Sequence, residues 1–180
     1  MIELLGKQHN RKDFDCGKEL LNFYLKFQAG QDVARKLSAC FVLPDRSTDR
    51  STDPGTGCST DPGTDRILGY YTLSNNSIPL GSLPEHIRKR LPKTYFSIPA
   101  TLLGRLAIDK DYQKRGIGKI LLIDALKRSY DVSHEIGSFA VVVDPMDEEA
   151  EAFYEKYDFI KLPDSGKMFI AIPTLKQLFG

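Results

Sequence analysis

The chain has 180 residues, 41% of them hydrophobic and 27% charged, with a net charge of +1, so it can bury one sizeable core and reads as a single domain over 1–180. Its longest apolar runs, such as Phe139 to Val143, are far too short to cross a bilayer, and Met1 to Asn10 lacks the basic start and apolar stretch of a signal peptide, so a cytoplasmic protein without membrane contact is expected. Cys16, Cys40 and Cys58, like His9, His86 and His134, are scattered without C-x-x-C or paired spacing, which points away from a disulfide framework, a metal site and a Cys/His catalytic pair.

In chain order, Ile2 to Leu5 reads as a short strand and Gly17 to Lys36 as one or two helices. Leu20, Leu21, Tyr24, Leu25 and Phe27 give the helical part a broad apolar face, with Asp15 as its expected cap. Ser38 to Leu43 and Ile67 to Ser74 read as strands. Between them, Ser51-Thr52-Asp53-Pro54-Gly55-Thr56 recurs as Ser59-Thr60-Asp61-Pro62-Gly63-Thr64, after a partial copy at Ser47 to Arg50. Such a composition cannot bury a core, and two short copies are too few for a solenoid. Residues 45–66 therefore read as a low-complexity insertion in a hairpin loop.

Further along, Pro84 to Leu91 reads as a short helix and Ala100 to Ile108 as a strand followed by a turn and an amphipathic helix. Gly137 to Val143 is a continuous apolar strand of the kind buried on both faces. Asp144 is expected to cap a helix that has Pro145 at its first position and acidic residues from Asp147 to Glu149 at its positive end. Ile160 to Leu162 and Met168 to Ile172 close the chain as a hairpin. The order is mixed α/β.

The turn Gln113-Lys114-Arg115-Gly116-Ile117-Gly118 is built to cradle a pyrophosphate. Its glycines let successive N–H groups converge, the following helix adds partial positive charge, and Lys114 and Arg115 add full charges. A P-loop is excluded, because one residue rather than four separates Gly116 from Gly118 and Ile120 follows Lys119. A dinucleotide fingerprint is excluded as well, because Leu121 stands where its third glycine belongs.

The remaining pattern, Q-x-x-G-x-G between a strand and a helix, resembles the pyrophosphate loop of the GNAT-type N-acetyltransferases. The resemblance implies a single-domain α/β GNAT fold, with a central mixed, mostly antiparallel twisted sheet flanked by helices, and acetyl-CoA as acetyl donor. It implies that Gln113, Lys114, Arg115, Gly116, Ile117, Gly118 and Lys119 hold the pyrophosphate. The main chain of Leu106, Ala107 and Ile108, on a splayed strand ahead of the loop, would line the pantetheine and thioester. One N–H there would stabilise the developing oxyanion by about 3 kcal/mol.

Ala150, Phe153, Tyr154 and Tyr157 fall at i, i+3, i+4 and i+7, so one helical face carries them. By periodicity alone this stripe is core. Its place after the buried strand resembles the F-Y-x-x-x-G-F motif of the same family, which implies that the Tyr154 hydroxyl protonates the departing CoA thiolate. A tyrosine with a pKa near 10 is protonated at neutral pH and suited to that task. Asp158 stands where the family has glycine, and aspartate tolerates the left-handed backbone that glycine supplies. Tyr157 is the competing hydroxyl. Asp109, Asp144 and His134 are the candidate general bases, although an amine in equilibrium with its neutral form needs none.

Over nearly the whole chain apart from the insertion, segments such as Phe14-Asp15-Cys16-Gly17, Leu68 to Ser74, Leu102 to Asp109 and Val142-Val143-Asp144 resemble the GNAT toxins of bacterial toxin–antitoxin pairs. That resemblance implies acetylation of the α-amine of aminoacyl-tRNA, inhibition of translation, neutralisation by a ribbon-helix-helix antitoxin, and a homodimer. Charge is distributed accordingly: Gly81 to Tyr130 holds 11 Lys/Arg against 4 Asp/Glu, the rest of the chain 14 against 20. Arg88, Lys89, Arg90 and Lys93 are the residues expected on a tRNA backbone. Two other readings stay open, a GNAT enzyme for a small-molecule or protein amine and an inactive CoA-binding or antitoxin-binding module.

Overall fold

The computed structural model describes residues 1–46, 65–163 and 165–180. The Ser-Thr-Asp repeat falls on residues 47–64, outside the described residues. The chain divides into two compact units, Met1–Tyr71 with Arg105–Leu122, and Thr72–Gly104 with Ile123–Gly180.

In the first unit, β1 (Glu3–Leu4) runs antiparallel to β3 (Ala39–Pro44), with Glu3 opposite Val42. The two-residue β2 (His9–Asn10), which has no sequence signature, lies parallel to the start of β4 (Asp65–Pro79). β4 thus begins at Asp65, so Asp65 and Arg66 belong to the strand and not to the insertion. Neighbouring strands here follow the order β1-β3-β4-β5, where β5 is Ser97–Ile108. Helix α1 (Glu19–Phe23), a single π-helical stretch (Tyr24–Gln28) and α2 (Ala29–Ala34) follow one another without a break. Their buried stripe of Tyr24, Leu25 and Ala29 packs with Phe14, Cys40, Val42, Ile67, Tyr70 and Ala107. Burial of such a stripe, rather than helix propensity, holds segments this short. Burial also pushes the Cys40 thiol up to about 12, which keeps it a neutral core residue.

Asp15 does not cap α1. The N-cap position is Lys18, which makes no side-chain capping bond. Gly17 turns the chain with φ +80° ahead of the helix, and the Asp15 carboxylate closes that turn by accepting from the Gly17 N–H at 2.9 Å and from Asn22 Nδ2 at 2.7 Å.

In the second unit, β5 pairs in parallel with β6 (Ala140–Val143), from Ala100 opposite Ala140 to Leu103 opposite Val143. β6 is antiparallel to β8 (Met168–Ala171), and β8 to β7 (Ile160–Lys161), giving the order β4-β5-β6-β8-β7. Every residue of β6 is buried, as its unbroken apolar run predicts for a strand flanked on both edges. A parallel pair needs a crossover, and the chain from β5 to β6 passes through the long helix Ile117–Ser133. That helix is α4, and the short helix Glu85–Arg88 before β5 is α3. The core of this unit gathers Ile78, Leu83, Ile98, Val142, Leu162 and Phe169.

Asp147, not Asp144, caps α5 (Glu148–Glu155), its Oδ1 accepting from the Ala150 N–H at 2.9 Å. The helix therefore starts three residues later than expected, with Glu148 and Glu149 in its first turn. The closing hairpin forms as expected but leads straight into α6 (Ile172–Phe179). Its signal was present in the sequence, Pro173 in the first turn with apolar residues at 172, 175 and 179.

Candidate active site

The end of β5 is the first element of the site. The Asp109 N–H donates to Leu68 O at 2.9 Å and the Leu80 N–H to Phe96 O at 3.0 Å, so β4 and β5 are antiparallel and Asp109 faces β4. Alternation then directs the N–H groups of Leu106 and Ile108 to the opposite edge. The β6 ladder ends at Leu103, five residues before β5 does. Gly69 on β4 permits the close approach of this segment, since a Cβ there would lie 2.9 Å from Ala107 O.

The turn after β5 is fastened from beneath. Gln113 Nε2 donates to Cys16 O at 3.0 Å and to Ile108 O at 3.1 Å, Lys110 N to Asp15 O at 2.7 Å, and Lys110 Nζ to Asp15 Oδ2 at 2.8 Å. The Lys110 ammonium, with the Gly17 N–H and Asn22, holds the Asp15 carboxyl well below the usual carboxylate range. Asp109 is buried and accepts from the Asp111 N–H at 3.1 Å and from Arg66 Nη2 at 3.2 Å. Its carboxylate organises the turn, which leaves it committed rather than free to act as a base. His134, another base candidate, has Nδ1 2.9 Å from Tyr130 O and its ring against Tyr130 at the end of α4.

On that base the main chain takes left-handed conformations at Lys114 (φ 61°) and Gly116 (φ 81°), and α4 starts at Ile117 with the Ile120 N–H on Gly116 O. Of the seven residues expected at the pyrophosphate, Ile117 is buried, Gly118 half-buried, and Gln113, Lys114, Arg115, Gly116 and Lys119 are exposed. A Cβ added at Gly116 would meet nothing within 4 Å, so the space over the turn is open. Arg115 lies 5.1 Å from the Tyr112 ring centroid, its charge kept at the turn. Left-handed backbone at Lys114 and Gly116, a long helix's N-terminus and exposed cations are features that an anion-binding turn uses. The side chain of Gln113 serves the protein itself, so its part is to fix the turn.

Sequence reading passed over Arg105, whose guanidinium sits 3.5 Å from the Tyr24 ring centroid on the π-helical stretch. Cation and aromatic ring lie 81 positions apart in the chain, so no local pattern could link them.

In the second unit Tyr154 lies on α5 and is only 8% exposed. Its ring packs against Phe153 at 5.3 Å and Phe159 at 5.2 Å. Burial raises its pKa above the ordinary tyrosine value, and neither a charge nor a hydrogen bond among the described residues opposes that. The group is a protonated phenol with an uncommitted hydroxyl. Asp158, at φ 62°, takes the left-handed position after α5, and the Phe159 N–H bonds Tyr154 O at 3.3 Å, so the turn expected of glycine forms with aspartate. Tyr157 is half-buried, with its ring on Phe153 at 5.2 Å. Arg88, Lys89, Arg90 and Lys93 are on α3 and just after it and all are exposed, and Lys89 pairs with Glu85 at 2.8 Å.

Glu3, His9 and Asp65 converge within 4.8 Å, the spacing of a metal site. His9 Nδ1 accepts from the Gly6 N–H at 2.8 Å, so its Nε2 carries the proton and donates to Glu3 Oε1 at 3.0 Å. Both ring nitrogens are already committed inside the protein.

Residues 84–161 match the acetyltransferase (GNAT) domain model. Over 168 residues the chain is 33% identical to the tRNA-acetylating toxin of Mycobacterium tuberculosis, covering 93% of this chain and 89% of that protein. The chain belongs to the GNAT acetyltransferases. Its mixed sheet with flanking helices is the GNAT fold, and AtaTR, which it resembles, has been solved bound with AcCoA. The chain is also 31% identical over 182 residues to the probable toxin TacT of Sinorhizobium fredii, covering 96% and 91% of the two chains. Among solved structures it resembles a tyrosine-to-phenylalanine mutant of KacT, with a TM-score of 0.86, 30% identity and 99% and 98% coverage. It resembles AtaT complexed with acetyl-methionyl-tRNA with a TM-score of 0.84, 28% identity and 100% and 99% coverage.

Proposed function

We propose that this GNAT enzyme acetylates the α-amine of aminoacyl-tRNA and so acts as a toxin that stops translation. The observation that carries the reading is the end-to-end likeness to AtaT bound to acetyl-methionyl-tRNA, joined to the 33% identity with a tRNA-acetylating toxin. An acetylated amine can no longer attack a peptidyl ester, so each turnover removes a charged tRNA from use. AtaT also has structures bound to the C-terminus of the antitoxin AtaR and to AtaR with DNA. A ribbon-helix-helix antitoxin is accordingly proposed as the partner of this chain, and the cytoplasm, where charged tRNA is found, as its place of action. No helix among the described residues is long and apolar enough to cross a membrane.

In this reading the amides of the 113–118 turn, with Lys114, Arg115 and Lys119, bind the donor's pyrophosphate. The main chain of Leu106, Ala107 and Ile108 lies along the thioester, and its outward N–H groups stabilise the oxyanion formed when the neutral amine attacks. Tyr154 then donates its proton to the departing thiolate. Its raised pKa is no obstacle, because the desolvation that raises a phenol raises a buried thiolate too, and the proton passes between groups displaced in the same direction. Arg88, Arg90 and Lys93, with Lys89, contact the tRNA backbone.

Transfer of labelled acetyl from acetyl-CoA to charged tRNA, with uncharged tRNA as control, tests the proposal. Label is expected on charged tRNA alone. Label on small-molecule or protein amines but never on charged tRNA would reject it.

A further inference from the structure

A second feature lies beside the basic cluster of the second unit. Phe96 is 95% exposed, the most exposed of all the large apolar side chains among the described residues, and Tyr95 next to it is 55% exposed. Their exposure does not come from a loose backbone. Phe96 O accepts from the Leu80 N–H at 3.0 Å, Leu91 N donates to Arg88 O at 3.1 Å, and Ile87 and Leu91 pack against the core of this unit. A fastened main chain therefore presents two aromatic rings outward. Around them, residues 85–96 hold four cations and one acid. That acid, Glu85, is taken up by Lys89, while Arg88, Arg90 and Lys93 make no ion pair among the described residues.

We infer that Tyr95 and Phe96, with Arg88, Arg90 and Lys93, form a platform on which unpaired RNA bases stack. Exposed rings interleaved with free cations are what a single strand needs, since bases stack on the rings while phosphates meet the charges. Bases within a duplex are already stacked on one another, so the rings select unpaired nucleotides. A second copy of this chain is a poorer occupant, because closing the patch on itself would face three unpaired cations with three more. A lipid surface is poorer too, since α3 has only four residues and offers no long amphipathic face. The inference rests on the aminoacyl-tRNA reading, in which the reacting ester sits on the unpaired 3′ end of the tRNA, and it assigns the contact to rings as well as charges.

The chain has no tryptophan, so Phe96→Trp creates a sole reporter at the platform. Because the ring is outside the core, the variant keeps the fold. A 12-nucleotide single-stranded RNA should quench this tryptophan, a duplex of the same length should do so much less, and raising salt should abolish the effect. Ile136→Trp, another exposed position, should not respond. Phe96→Ala should weaken single-strand binding at least fivefold and Phe96→Tyr should restore it. Unchanged RNA affinity in Phe96→Ala, or a reporter that answers anionic vesicles or protein concentration instead of RNA, overturns the platform. Acetyl transfer to charged tRNA by the unaltered protein, with no reporter response, removes the platform and leaves the function standing. A response without transfer does the reverse.

Discussion

The phosphate turn and the Tyr154 helix are held by opposite means. The turn is exposed and polar, and it keeps its shape through Gln113, Asp109 and the Asp15–Lys110 pair, with left-handed backbone at Lys114 and Gly116. Tyr154 is buried and held by aromatic packing, and no hydrogen bond among the described residues uses its hydroxyl. A site that only binds an anion needs converging donors fixed in place. A site that passes on a proton needs an uncommitted donor in a medium that favours its neutral form. Substitutions in the two regions should therefore fail in different kinetic terms.

The largest effect is expected at Tyr154. Tyr154→Phe should relieve growth arrest on expression, with kcat down roughly 100-fold or more, while Tyr157→Phe should keep the arrest. The reverse outcome would move the acid to Tyr157. At the turn, Gly116→Ala meets no steric obstacle but must hold a side chain at φ +81°, which costs about 1–2 kcal/mol. Titration calorimetry should find acetyl-CoA bound about tenfold more weakly, with kcat at saturating donor nearly unchanged.

Smaller still is Asp158→Gly, which relieves a left-handed aspartate and should raise stability by about 0.5–1 kcal/mol, visible as a Tm higher by about 2 °C. A pH series sharpens the contrast in electrostatics. Tyr154 is raised from its ordinary value of 10, so its contribution to stability is complete below about pH 10 and is lost as pH rises beyond that. The Tm of the unaltered protein should fall more steeply above pH 10 than that of Tyr154→Phe. Asp15 is lowered from 3.8, so the stability it lends the turn is present above that value and is lost as pH falls below it.

Much of this architecture was legible because periodicity and turn chemistry are local. The apolar run ending at Val143, the strand–turn–helix around Gly116 and the closing hairpin all carry their signals in adjacent residues. The mis-set caps show the limit of such signals. Asp15 and Asp144 both have the right side chain for an N-cap, but the helix starts where tertiary packing allows, and Asp147 competes for the same role with the same chemistry. Two-residue β2 exists only because β4 passes beside it. The polar fasteners of the turn were hidden for the same reason, since Cys16 and Gln113, or Asp15 and Lys110, are separated by more than 90 residues and meet only after folding.

The division of labour between turn and tyrosine is tested most directly by single-turnover transfer from prebound acetyl-CoA to charged tRNA, comparing the unaltered protein with Tyr154→Phe. Donor affinity should stay within about twofold while acetyl transfer slows roughly 100-fold or more. Transfer at the unaltered rate, or a loss of donor affinity large enough to explain the slowing, would contradict it.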